Sequence, residues 1–323
     1  MKVVEVSLRS VLVALLASFA FTATATAAAP AVTTGGAGGI EAGAATLNGT
    51  VDPNGETTTY YWEYGTTRTY GSRTGDGDAG KGTSAKKVSL RVEGLAANTV
   101  YHYRLVASNP SGVRSGADRT FKTKRQPLGL QITAAPNPVV FGSASTVTGA
   151  LTGTGNANRQ VVLQQLAFPF TGAFADTGNP IVTDANGAFS FPILPLPGTT
   201  QFRVRTVNPD KVFSPVLTLG VAARVSTQTS AKSVRRFRRV RFFGTVTPAA
   251  VGQPFEIQRA TGSGRWLPVA RGFTTKGGDQ SSKWSKRVRI TRTAKYRVLV
   301  HMLEGPIVSG FGREVAVAVK KRR

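Results

Sequence analysis

Short segments in which apolar and polar residues alternate are the feature that most restricts how this chain can fold. Tyr60, Trp62 and Tyr64 alternate with side chains of the opposite register, and residues 100–107 alternate in the same way. A period of two residues is typical of a half-buried β-strand. Outside residues 1–29, no window of a dozen residues has the apolar spacing of an amphipathic helix. Because 36 glycines and 17 prolines supply turns between such segments, the sequence predicts an all-β protein of tandem β-sandwich domains.

The first such domain has the most specific pattern. Tyr101, Tyr103, Leu105 and Ala107 are expected to face the core, and His102, Arg104 and Val106 to face solvent. Leu95 stands six residues before Tyr101, in Leu-x-x-x-Thr-x-Tyr. That spacing suits a tyrosine corner, in which the phenol crosses a sandwich edge to reach the backbone upstream.

Leu95 and Tyr101 lie with Trp62 and Tyr103 in the stretch 44–124. This stretch resembles a fibronectin type III domain of secreted proteins of high-GC bacteria. The resemblance implies a β-sandwich over residues 30–125 and says little about a ligand. Trp62, Leu95, Tyr101 and Tyr103 are its expected structural residues.

Residues 1–27 are predicted to be a cleaved signal peptide. Lys2 and Arg9 precede the apolar run 11–21, and Ala25 and Ala27 give a small-x-small cleavage site. A buried N-terminal helix or a retained anchor is the alternative interpretation. No later apolar run is long enough to span a bilayer, and the chain has no cysteine for a lipid anchor, a disulfide or a thiolate metal site. We expect an extracellular or cell-wall-associated protein whose mature chain has no transmembrane segment.

Two further domains are predicted at 126–223 and 224–319, with a basic tail at 320–323. The second of them repeats the first weakly, with shifts of 94 or 95 residues that align Gly149 with Gly244, Gln164 with Gln258, Phe202 with Tyr296 and Ser214 with Ser309. Both resemble bacterial immunoglobulin-like domains, although the Cys…Trp…Cys pattern of antibody domains is absent.

Charge is concentrated in the last of these domains. The whole chain has a net charge of +25, and residues 224–323 hold twenty-three Lys and Arg against four Asp and Glu, a net charge of +19. Arg239 and Arg241 alternate with apolar residues on one predicted strand, and Arg287 and Arg289 do so on another. In an Ig-like sandwich these two strands are neighbours in one sheet, so the four arginines would share an exposed face.

The polyanion-binding candidates are therefore Arg235, Arg236, Arg238, Arg239, Arg241, Arg287 and Arg289, which Lys320 to Arg323 could extend. Arginine suits phosphate and carboxylate groups because its planar fork donates two parallel hydrogen bonds. We expect an anionic cell-wall or extracellular polymer as partner, with a surface protein or glycan as a further one. Specific nucleic-acid binding is not expected, because no groove-entering helix or RNA-binding signature occurs. The alternative interpretation is that the arginines only keep the protein soluble.

A carbohydrate-binding accessory protein is the rival function, with Tyr61, Tyr70, Trp266 and Trp284 as candidates for stacking on sugar rings. An enzyme is not expected, because no nucleophile elbow or metal-ligand motif occurs and the two histidines, His102 and His301, belong to different domains. No catalytic residue, cofactor or metal is predicted.

Overall fold

The computed structural model describes residues 28–207 and 209–320. The predicted signal peptide and the last three residues of the predicted basic tail lie outside this range. The regular secondary structure of the described residues consists of β-strands, without helices, and these strands form paired sheets. The predicted all-β class with tandem β-sandwiches is confirmed. The chain divides into two compact units between Arg125 and Gln126.

The first unit is a sandwich of two antiparallel sheets. Its strands are β1 (Ala31–Thr34), β2 (Ala44–Asp52), β3 (Thr58–Gly65), β4 (Ser72–Arg73), β5 (Gly77–Gly80), β6 (Lys86–Glu93), β7 (Val100–Asn109), β8 (Gly112–Ser115) and β9 (Arg119–Lys122). One sheet has the order β1-β2-β6, and the other has the order β4-β3-β7-β8, with β5 paired to β3 and β9 paired to β7.

The core of this unit is aromatic. Trp62 and Tyr103 are fully buried, with ring centroids 6.1 Å apart. The Tyr103 hydroxyl donates to the carbonyl of Gly35 at 2.7 Å, and burial raises the pKa of this phenol. Tyr101 stacks on Phe121 at 5.7 Å. Large rings supply enough buried area to hold a sandwich that has no disulfide.

The edge of this sandwich has the geometry of a tyrosine corner. The amide of Ala96 donates to the Tyr101 hydroxyl at 2.9 Å, and Leu95 is buried beside it. The prediction that Val106 on β7 faces solvent is wrong, because its side chain is buried. It lies directly across from Tyr61 on the outer face of the sheet, where a neighbouring ring can cover a small apolar side chain.

The second unit contains two sandwiches. The strands of the first are β10 (Gly129–Ala135), β11 (Val139–Val140), β12 (Ser145–Thr152), β13 (Gln160–Ala167), β14 (Ala175–Val182), β15 (Ala188–Ile193), β16 (Thr200–Thr206), β17 (Leu217–Leu219) and β18 (Val221–Ala222). Its sheets have the orders β10-β12-β15 and β14-β13-β16-β17.

The other sandwich of this unit carries most of the charge. Its strands are β19 (Arg224–Val225), β20 (Gln228–Thr229), β21 (Ser233–Val234), β22 (Arg239–Thr247), β23 (Pro254–Ala260), β24 (Trp266–Phe273), β25 (Thr275–Lys276), β26 (Ser282–Arg289), β27 (Ala294–Val300), β28 (Ile307–Val308), β29 (Gly310–Phe311) and β30 (Val315–Val319). One sheet has the order β19-β22-β26-β25, with β20 paired to β22, and the other has the order β21-β30-β27-β23-β24, with β29 paired to β27.

A small parallel sheet joins these two sandwiches. Val139, Val221 and Ile307 pair side by side in the order β11-β18-β28, and all three are buried. The amide of Thr199 also donates to the carbonyl of Pro306 at 2.7 Å. Because backbone hydrogen bonds and a continuous apolar core span the junction, we expect the two sandwiches to move together.

The two sandwiches share details that fit the predicted repeat. Gly149 and Gly244 each lie where a Cβ would collide with a backbone carbonyl, that of Gln131 on β10 and that of Ser226 between β19 and β20. Only glycine fits such a close approach of two backbones.

A stacked arginine also recurs in both copies. Arg203 donates through Nε to Gln164 at 2.7 Å, and Arg297 donates to Gln258 at 2.9 Å. Each guanidinium carbon lies over two rings, at 4.3 and 4.6 Å from those of Phe174 and Phe213, and at 4.3 and 4.4 Å from those of Trp266 and Phe311.

One anchor of the predicted repeat is wrong. The amide of Ser214 donates to Val204, and the equivalent bond to Val298 comes from Gly312 rather than from Ser309. The loop before this bond is therefore longer in the third domain, which shifts the alignment after β27.

Candidate polyanion-binding face

Two neighbouring strands of the third domain place four arginines on one outer sheet surface. On β22, Val240 and Phe242 are buried while the arginines on either side of Val240 are exposed. On β26, Val288 is buried between two exposed arginines. Because successive side chains of a strand point to opposite faces, burial of the apolar row fixes the arginine row outward. We call Arg239, Arg241, Arg287 and Arg289 the arginine face.

The register of the strands sets these arginines directly opposite one another. Arg239 pairs with Arg289 and Arg241 pairs with Arg287 across the antiparallel ladder. Opposed residues in such a ladder have Cα atoms about 4.5–5.5 Å apart. Like charges in this arrangement destabilise a sheet. The arginine face is therefore a two-by-two cluster of cations held together by the fold around it.

Within the part of the chain that the structure describes, no carboxylate forms an ion pair with this cluster. In residues 28–207 and 209–320, none of the ion pairs with a separation of 4.0 Å or less includes a residue of the arginine face. All four side chains are exposed. Their hydrogen-bond donors are free to bind a ligand that brings several negative charges.

Two phenylalanines support the cluster. The guanidinium of Arg241 lies 4.4 Å from the ring centroid of Phe243. Phe237, which is 49% exposed, has the guanidinium of Arg289 at 4.9 Å and that of Arg236 at 4.7 Å. A ring face attracts a guanidinium and limits the orientations that it samples. The sequence analysis missed Phe237. Its place between the arginines of the run Arg235–Arg239 was the signal that could have indicated contact with guanidinium groups.

The other predicted arginines lie at one end of the face. Arg235, Arg236 and Arg238 form the turn before β22, and Arg236 donates through Nε to the carbonyl of Thr291 at 3.1 Å. The amide of Lys320 donates to Val234 at 2.9 Å, so the start of the predicted basic tail lies beside this turn.

Two cations at the opposite end also belong to this surface. Lys283 has the same register as Arg287, four residues earlier on β26, and it pairs with Thr245. Arg224 pairs with Thr247 on the other side of β22. Both are exposed, and the two-residue alternation along β26 was the signal that could have found Lys283. The cations therefore extend along the strands beyond the arginine face.

The aromatic residues proposed for sugar stacking are either buried or already covered on one ring face by an arginine. Trp284 is 2% exposed, and its indole N–H donates to the carbonyl of Ser226 at 3.1 Å, so its assignment as an exposed stacking ring is wrong. It occupies the inward register of β26, because the alternation that turns the arginines outward turns Trp284 inward. Tyr61, Tyr70 and Trp266 each carry a guanidinium on one ring face, at 3.8, 4.9 and 4.3 Å.

The two histidines lie in different units. His102 Nδ1 is 2.9 Å from a carboxylate oxygen of Asp118, which also accepts from the Tyr70 hydroxyl at 3.1 Å. Desolvation acts to raise the pKa of Asp118, but the hydrogen bonds and charges of His102, Tyr70 and Arg68 outweigh it and lower the pKa. In the described ranges no group of three or more His, Cys, Asp or Glu side chains is placed to hold a metal ion.

Comparisons with known proteins do not identify a family. No family model matches the chain, and no curated protein matches it. The fibronectin domains FN1–FN3 of chicken CNTN1 are similar at 15% identity with a TM-score of 0.32, over 90% of this chain and 100% of that one. A tetra-tandem repeat from the extending region of a large adhesion protein is similar at 13% identity with a TM-score of 0.30, over 90% of this chain and 75% of that one. Because these scores are low, the fold assignment rests on the strand pairing described above.

No helix within residues 28–207 and 209–320 has the length and apolar character needed to cross a membrane.

Proposed function

We propose that this chain is a secreted, non-catalytic binding protein that attaches through its arginine face to an anionic polymer of the cell wall or extracellular matrix. In this proposal residues 30–125, 126–223 and 224–319 are three domains. The third binds the polymer, and the first two act as a spacer that presents further surfaces to a protein or glycan. The apolar segment at residues 11–21 supports export.

The observation that carries the proposal is the direct pairing of arginines, none of which forms an ion pair with a carboxylate among the described residues. A like-charge pair directly across a ladder is destabilising, and we take the size of this cost from the about 0.2–1 kcal/mol that an opposite-charge pair contributes. Solubility could be obtained from the same number of cations spread over the surface, without this cost. A bound polyanion would replace the repulsion with charge-assisted hydrogen bonds, which arginine makes in pairs to phosphate and carboxylate.

The size of the surface favours a polymer over a single small anion. The cations extend from Arg289 to Lys283 along β26, a span of about 20 Å at the rise of a β-strand. One phosphate or carboxylate can engage only one or two guanidinium groups. A chain with regularly spaced negative charges can engage the whole row and releases counterions as it binds.

Charge reversal tests the proposal. We expect the variant with all four residues of the arginine face changed to Glu to lose retention on isolated cell walls at low salt. A matched control reverses four exposed cations elsewhere, Arg114, Lys122, Arg265 and Arg313, and has the same net charge. We expect the control to keep most of its retention. Equal retention of the two variants, both folded by circular dichroism, would overturn the proposal.

A further inference from the structure

A cleft on the third domain lies apart from the arginine face. It has a volume of about 470 Å³, and Pro254, Glu256, Arg271, Phe273, Lys286 and His301 contribute to its lining. Lys286 belongs to β26, the strand that also carries Arg287 and Arg289. Because its register is opposite to theirs, Lys286 is directed away from the arginine face.

The neighbouring sandwich shows which residue this fold places at the equivalent position. Phe191 pairs with Val147 on β12, as Lys286 pairs with Phe242 on β22. Phe191 is 6% exposed and belongs to the apolar core. In the third domain a lysine therefore occupies a position that holds a core phenylalanine in the second.

A second substitution lies in the same region. Ile181 pairs with Val161 on β13 and packs against the core, whereas its equivalent, Gly272, pairs with Phe255 on β23. A Cβ on Gly272 would come within 2.7 Å of the Phe255 ring. The Phe255 ring therefore lies against Gly272. The lysine that replaces Phe191 and the glycine that replaces Ile181 both line this cleft.

The charge balance of the cleft leaves one cation without a partner. Glu256 accepts from Arg271 Nε at 2.8 Å, so these two side chains neutralise each other. No carboxylate in the described part of the chain lies within 4.0 Å of the Lys286 ammonium. The Lys286 side chain is exposed, so its ammonium can make a charge-assisted hydrogen bond with an anion that enters the cleft.

The rest of the lining suits a ring that has an apolar face. Phe273 is 67% exposed at the rim, and Pro254 lies directly across from it on β23. His301 adds a polar nitrogen, and its amide donates to the carbonyl of Pro254 at 2.9 Å. Apolar surfaces with a few polar groups that fix orientation are typical of small-molecule sites.

We propose that the cleft binds one acidic sugar ring, a uronic acid unit, with its carboxylate at Lys286 and its apolar face on Phe273. This inference rests on the proposed function and makes it more specific, because the anionic polymer is then an acidic polysaccharide. The arginine face binds its charges along the strands. The cleft recognises the sugar itself and discriminates against anionic polymers that have no ring.

The test compares three probes: oligogalacturonate, its methyl ester and inorganic polyphosphate. The ester keeps the ring and removes the charge, and polyphosphate keeps the charge and has no ring. We expect Lys286→Met to weaken oligogalacturonate binding by about tenfold, since a hydrogen bond to a charged group contributes about that factor. Phe273→Ala should also weaken it by about tenfold, because it removes the apolar surface on which the sugar ring packs. Neither variant should change polyphosphate binding, and the ester should bind wild type more weakly than the acid.

The matched control is Phe168→Ala, which removes a half-exposed phenylalanine from the second domain. It should leave the binding of all three probes unchanged. Calorimetric titration measures the affinities, and urea unfolding checks that each variant is folded. The inference is overturned if the acid and its ester bind wild type equally, or if folded Phe273→Ala and Lys286→Met bind oligogalacturonate as wild type does. A neutral arginine-face variant that keeps its polyphosphate affinity would instead overturn the proposed function and leave the cleft standing.

Discussion

Removing charge from the arginine face should make the protein more stable while it weakens binding. The informative variant is Arg239→Gln with Arg287→Gln. Each substitution removes one member of a cross-strand pair, Arg239 with Arg289 and Arg287 with Arg241. Within the described residues, neither Arg239 nor Arg287 stacks on a ring. The double variant therefore relieves both repulsions and leaves both cation–ring contacts of the face in place.

The expected gain follows from the number of pairs. Two like-charge pairs at about 0.2–1 kcal/mol each predict a free energy of unfolding higher by about 0.4–2 kcal/mol at low salt. Salt at about 1 M shortens the Debye length to about 3 Å and should remove most of the difference. Urea is the suitable denaturant, because it is uncharged and leaves the ionic strength unchanged.

Binding should change in the opposite direction. The dependence of log K on log[salt] for polyphosphate should become shallower by about 2, because two phosphate contacts are lost. The matched control, Arg265→Gln with Arg313→Gln, has the same net charge and should change neither quantity by more than a small amount. The reasoning is refuted if the double variant is less stable than wild type at low salt, or if both variants lose affinity equally.

Three further predictions concern the framework. Tyr101→Phe removes the hydroxyl acceptor at the edge of the first sandwich and should lower the free energy of unfolding by about 1–3 kcal/mol, measured in urea. Arg297→Lys loses the planar stack on Trp266 and should cost about 1 kcal/mol, accompanied by a change in indole fluorescence. The pKa of Asp176 is lowered by hydrogen bonds from Arg205 and Gln164, so its contribution to stability is present above the unfolded pKa of about 4 and is lost as pH falls through the folded pKa. The stability difference between wild type and Asp176→Asn should accordingly narrow below about pH 4; a constant difference would contradict this.

The fold class was predictable because the rule that produces it is local. The alternation on each strand predicts the inward positions, where Trp62 on β3 and Tyr101 and Tyr103 on β7 are buried, while Tyr60 and Tyr64 are partly buried. The same rule places Trp284 inward, and the sequence analysis did not apply it there. Val106 shows the limit of the rule, because it is buried although the alternation places it on the outer face, opposite Tyr61.

Features that depend on distant partners were not predictable. The sheet that joins the second and third domains uses strands of two residues, which have no period to detect. The absence of carboxylates around the arginine face depends on where the four acidic residues of the last hundred positions lie in space. The equivalence of Lys286 with the core residue Phe191 follows from the strand register, which the sequence alone does not contain.

The most direct test of the account is co-sedimentation of the purified mature protein with isolated cell walls at low salt and at about 1 M salt, where the Debye length is only about 3 Å. The account predicts that the protein pellets at low salt and stays in solution at high salt, because exposed arginines lose most of their attraction to a polyanion when they are screened. Pelleting that survives high salt, or no pelleting at either concentration, would contradict the claim that the arginine face holds the protein on an anionic polymer.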